Sequence, residues 1–171
     1  MSAETITTAL FLITAVVASA VLINAIYPVV YTAAGSFSAT THESDTRMRT
    51  DFKIIATYAS NSTGNAQVWM KNIGSEGISL EEIKKADVFC GATTGSFVHL
   101  TYDDFDLEGD KTWNKDFTPL EYDLNSNQVW DPGETVKITA WTGIPDSGGS
   151  VYFQFAVPSG VWRTTEFTSV S

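Results

Sequence analysis

The chain has 171 residues, enough for one core and an appendage. Its 20 acidic and 10 basic side chains leave a net charge of −10, which argues against a nucleic-acid partner because phosphate binding needs clustered Lys and Arg. Cys90 is the only cysteine, so no intrachain disulfide can form, and a β-domain must be held by its core, a metal or assembly.

From Thr5 to Thr41 no residue is charged. The run Ala9–Ile23 continues through Asn24, Pro28 and Tyr31 and is long enough to cross a hydrocarbon layer of about 30 Å. It exceeds a secretory h-region of roughly 7–15 residues and has no basic flank before it, so a removable signal peptide fits poorly. A short β-domain could hardly wrap a helix that is apolar on all faces. The helix therefore belongs among lipids or sister helices. Small residues at Ala15, Ala18 and Ser19 allow close helix approach, and Asn24 calls for a hydrogen-bonding partner at that depth. Pro28 removes one backbone donor. Gly35 is expected to end the helix, giving roughly 45 Å at 1.5 Å per residue.

The segment 36–50 reads as a hinge. It joins small polar residues to the mixed-charge stretch His42–Asp51. From residue 51 the period becomes two. Strands are predicted over Phe52–Ala59, Ala66–Lys71, Ala86–Cys90, Phe97–Tyr102, Thr135–Thr142, Val151–Val157 and Trp162–Phe167. Val151–Val157 is so apolar that it must be central or covered on both faces. Ser79–Lys85 reads as one helical turn with a Ser79/Glu82 capping box. The expected fold is α+β: an apolar helix over 1–35, the hinge, and an all-β, immunoglobulin-like sandwich or small barrel over 51–171.

The sharpest local motif is Asp123–Glu134. Asp123, Asn125, Asn127, Asp131 and Glu134 fall at positions 1, 3, 5, 9 and 12 of a twelve-residue calcium loop, and Val129 offers its carbonyl at position 7. Gln128 replaces the usual Gly at position 6. Calcium is thus the candidate ligand, against a plain Asn/Asp-rich turn. A second acidic run is Asp103, Asp104, Asp106, Glu108 and Asp110, which reads as a solvated loop. Asn61-Ser62-Thr63 is a glycosylation sequon on a predicted hairpin tip. His42 and His99 have no acid or cysteine at metal or triad spacing, no phosphate loop occurs, and an enzyme is not expected.

The apolar helix, followed by Arg47–Ile55 and by Val68-Trp69-Met70-Lys71-Asn72-Ile73-Gly74, resembles the archaellum proteins of the FlaG and archaellin type. The strand ending in Lys-Asn-x-Gly is similar in archaellins. The resemblance implies a type IV pilin-like helix bundled in a filament core or membrane. It also implies an immunoglobulin-like domain exposed outside, with other archaellum components and surface-layer protein as partners. No Lys or Arg precedes the apolar run, unlike the basic leaders of archaellin precursors, which favours the FlaG-like side. The expected function is structural: a filament subunit polymerising through its helix on the archaeal cell surface. The alternative is a membrane-anchored module that docks to the surface layer.

Overall fold

The computed structural model describes residues 3–95, 97–103, 112–116 and 123–171. Its contacts divide the chain into two units, Met1–Ser44 and Asp45–Ser171.

The first unit is helical. Helix α1 spans Ala3–Arg49 and buries none of its residues. It runs on past Gly35, where a stop was expected. One glycine in a helix costs only about 1 kcal/mol, and hydroxyl groups around it are satisfied locally. Thr32 Oγ1 donates to the Pro28 carbonyl at 2.8 Å, Ser36 Oγ to Thr32 at 3.0 Å, and Thr41 Oγ1 to Phe37 at 2.8 Å. The expected hinge is therefore helix. The last residues of α1, from Asp45, belong to the second unit. There Arg47 and Arg49 lie in the final turn, where positive charge suits the helix dipole, and Arg49 meets Asp45 at 3.6 Å.

The second unit is a β-domain. Its elements are β1 (Phe52–Ser60), β2 (Asn65–Asn72), β3 (Ile78–Ser79), α2 (Leu80–Lys84), β4 (Asp87–Ala92), β5 (Val98–Tyr102), β6 (Thr112–Asp116), β7 (Val129–Trp130), β8 (Thr135–Trp141), β9 (Ser150–Ala156) and β10 (Trp162–Thr168). All seven strands expected from the sequence are present, with ends shifted by a residue or so. Eight strands form one sheet in the order β1-β2-β8-β6-β5-β4-β9-β10, and β3 pairs with β7 apart from it. The β5–β6 pair is parallel, whereas the other pairs are antiparallel.

The sheet folds over so that its two ends face each other. Alternation on β2 buries Ala66, Val68, Met70 and Asn72, and alternation on β9 buries Val151, Phe153 and Phe155. Phe52 of β1 meets Phe155 edge-on at 5.6 Å, and Trp113 of β6 meets it at 6.2 Å. Each such aromatic contributes about 2–3 kcal/mol by leaving water. Strand β9 is interior, between β4 and β10, as its apolar sequence requires. The outer strands β1 and β10 meet at one end, where Val170 N–H donates to Ala59 at 2.8 Å and Asn61 N–H to Val170 at 3.1 Å. Short helix α2 begins at the expected capping box: Glu82 N–H donates to Ser79 Oγ at 3.3 Å, and Ser79 N–H donates to Glu82 Oε2 at 2.9 Å.

Candidate functional site

The most unusual surface in the molecule is α1 itself. Leu10, Phe11, Leu12, Ile13, Val16, Val17, Val21, Leu22, Ile23, Tyr27, Val29, Val30 and Tyr31 are all exposed. Apolar residues surround the helix rather than forming one stripe, so it cannot be covered by a single partner face. At about 100° per residue, Ala15, Ala18 and Ser19 share one side. Asn24 lies about opposite, over Ala20. The four expected packing positions thus divide between two faces. Ser19 Oγ donates to the Ala15 carbonyl at 2.8 Å, so its hydroxyl hydrogen is already committed within the helix. The Asn24 amide makes no hydrogen bond among the described residues.

A second feature explains the Lys-Asn-x-Gly strand end. Asn72 is fully buried at the end of β2. Its Nδ2 donates to the Glu76 and Trp130 carbonyls at 2.9 and 2.8 Å, and its Oδ1 accepts from Gly74 N–H at 2.9 Å. This bends the chain back onto the end of α1. Ser75 and Glu76 N–H groups donate to the Arg49 carbonyl at 2.9 and 3.2 Å, and Ile73 and Gly74 N–H groups to Asp51 at 2.9 and 2.8 Å. The bend thereby satisfies a carbonyl that every helix C-terminus leaves open. Arg49 also reaches Glu76 at 3.1 Å, and Arg163 of β10 pairs with Asp51. The sequence marked this motif by similarity alone; its bonding partners are distant in the chain.

The Asp123–Glu134 loop is closed by its own hydrogen bonds. Asp123 is 1% exposed, and its two oxygens accept from Asn127 and Gln128 N–H at 3.3 and 3.0 Å. Glu134 accepts from Leu124 and Asp131 N–H at 2.9 and 3.0 Å. Asp131 Oδ2 accepts from the Asn125 and Asn127 amides at 2.7 and 2.8 Å, and Asn127 Oδ1 takes Val129 N–H at 2.8 Å. Gln128 has φ 61°, the left-handed conformation that a glycine would otherwise supply at position 6. Among the described residues, no three His, Cys, Asp or Glu side chains gather as a metal-holding group. Of the second acidic run, Asp103 is described, and Asp104–Asp110 lie outside the described residues.

Asn61 sits at the β1–β2 turn as the sequon requires, but its amide nitrogen is engaged. It donates to the Ile144 carbonyl at 3.1 Å and to Asp146 Oδ1 at 3.0 Å. Asn61→Ala is expected to lower domain stability by about 1 kcal/mol, read as a fall of a few degrees in Tm. An unchanged Tm would show that these bonds contribute nothing.

His99 departs from expectation. The β4–β5 pairing brings Asp87 within 3.0 Å of its Nε2, and its ring lies 5.0 Å from that of Phe89. The residue is exposed, and among the described residues it belongs to no group of three His, Cys, Asp or Glu side chains that could hold a metal. Cys90 is buried, and burial pushes its thiol up to about 12, so no thiolate is available for chemistry.

The model of the archaeal-type flagellin family matches residues 2–167. An uncharacterized protein of Archaeoglobus fulgidus is 27% identical over 140 residues, covering 81% of this chain and 80% of its own. The archaeal flagellum of Methanospirillum hungatei strain JF1 shares the fold over 96% of this chain and 93% of that one, with TM-score 0.66 and 19% identity. The archaellum periplasmic stator protein FlaG of Sulfolobus acidocaldarius matches 69% of this chain and 99% of its own, with TM-score 0.52 and 19% identity. An apolar helix leading into a β-domain, matched from residue 2 to residue 167, makes this chain a member of the archaeal-type flagellin family.

Proposed function

We propose that the chain is a structural subunit that assembles through α1, with its β-domain facing outward from the archaeal cell surface. The observation that carries this reading is the fully exposed, all-round apolar helix. Each side chain on it gains about 25 cal/mol per Å² on leaving water, and sister helices can cover every face. The solved likenesses named above, a flagellum and a stator protein, support the same reading at the level of fold. Partners are then other copies and other archaellum components. Electron microscopy of the purified full-length protein tests it: detergent-free assemblies built through the helix are expected. Solitary dissolved particles would overturn the proposal.

We further propose calcium as the ligand of the Asp123–Glu134 loop. The support is the ligand spacing and the left-handed Gln128 at the turn position. Calcium at about 100 times its Kd should stabilise the domain by about 2.7 kcal/mol, which raises Tm by several degrees. A Tm that ignores calcium would leave the loop as a hydrogen-bonded turn.

A further inference from the structure

An acidic chain has placed all of its arginines in one neighbourhood. Arg47, Arg49 and Arg163 are the only three in the sequence. Arg47 and Arg163 line a cleft of about 590 Å³ in the β-domain unit, together with Met48, Thr50, Asp51, Trp162 and Thr164. Arg49 lies beside it but is occupied by Asp45 and Glu76. Arg163 is half-committed: it pairs with Asp51, and its Nη1 donates to the Trp162 carbonyl at 2.8 Å. Arg47 has no carboxylate within ion-pair reach among the described residues. Its guanidinium lies over Gly160, where an added Cβ would stand 3.7 Å from Cζ.

The cleft also displays two large, exposed apolar side chains beside its arginines. Trp162 is 53% exposed and Met48 86% exposed. Trp, Met and Arg are the residue types enriched at the centres of protein interfaces, and Trp and Arg dominate their binding energy. Guanidinium groups select carboxylates by bidentate hydrogen bonding. A chain with net charge −10 offers carboxylates over much of its surface, and a neighbouring copy supplies them at high local concentration.

We propose that this cleft is the docking site for an acidic surface of a second copy of the chain. The inference rests on the assembly reading above and adds a contact through the β-domain, where opposite charge fixes register and the helix supplies bulk affinity.

A photo-crosslinking phenylalanine analogue, benzoylphenylalanine, placed at Met48 in the assembled full-length protein tests it. The expected product is a covalent dimer whose cross-linked peptide carries Asp or Glu of the second copy. Arg47→Glu should cut the yield about tenfold. Salt at about 1 M, where the Debye length is about 3 Å, should cut it too. Arg47→Gln removes the charge without reversing it and should also cut the yield, so the test stands even where the reversed charge disturbs folding. An adduct to another protein, a glycan or a lipid overturns the proposal, as does a yield indifferent to Arg47. If assemblies form without the cross-link, the cleft proposal falls alone. If the full-length chain never assembles, both readings fall.

Discussion

Replacing Gly74 with Ala is expected to destabilise the β-domain by about 3 kcal/mol, a fall of about 10 °C in the Tm of a fragment spanning residues 36–171. The reason is space. A Cβ on Gly74 would lie 2.4 Å from the Arg49 carbonyl oxygen and 2.5 Å from the Asp51 nitrogen, both backbone atoms that no rotamer change can move aside. The bend must then open, and its bonds from Ile73, Gly74, Ser75 and Glu76 to the Arg49 and Asp51 carbonyls weaken together. Asn72→Ala should have a similar effect from the other side, because it removes the donor to the Glu76 and Trp130 carbonyls and one of the two acceptors of the Gly74 N–H around a fully buried position. Gly35→Ala is the contrast. Nothing lies within 4 Å of its Cβ position, and the helix should gain about 1 kcal/mol. Thermal unfolding of the Gly74 variant decides the matter: a Tm within about 2 °C of the parent would show that the bend does not hold the helix end.

The contrast between these two glycines shows what a sequence discloses. Gly35 looked like a terminator because it follows an apolar run and opens a stretch of small polar residues. Helix continuation there rests on bonds that leave no pattern, such as Ser36 to Thr32 and Thr41 to Phe37, and on the Asp45–Arg49 pair. Gly74 carried no local signal except its place after Lys71-Asn72-Ile73. Its necessity comes from Arg49 and Asp51, more than twenty residues earlier. The strands with clear alternation, β2, β8 and β9, were legible because one face of each meets the core. Strand β6 was not, because Trp113 is its only apolar residue and its partners β5 and β8 create it. Likewise, no spacing rule joins His99 to Asp87; only the pairing of β4 with β5 does. The apolar surface of α1 was the most legible feature. It needs no tertiary information, since thirty-odd uncharged residues declare their dislike of water on their own.

That helix yields the prediction with the largest effect on function. Ala18→Leu should abolish assembly or raise the concentration it needs by about ten- to a hundredfold. Ala18 shares a face with Ala15 and Ser19, where small side chains let a neighbouring backbone approach. A leucine there either forces the helices apart or strains both, at about 1–3 kcal/mol per contact, and about 1.4 kcal/mol is tenfold in an equilibrium constant. A polymer repeats the defect at every copy. Asn24→Leu attacks the opposite face and removes a polar group that only a partner helix could satisfy. Interhelical hydrogen bonds of this kind contribute about 0.6–2 kcal/mol, so a threefold to thirtyfold loss is expected. Neither substitution changes the length or apolar character that a lone membrane anchor requires. Sedimentation and electron microscopy of the two variants therefore separate a filament subunit from a solitary anchor. If both assemble like the parent, α1 serves only to hold the β-domain at a membrane, and the surface-docking module becomes the better account.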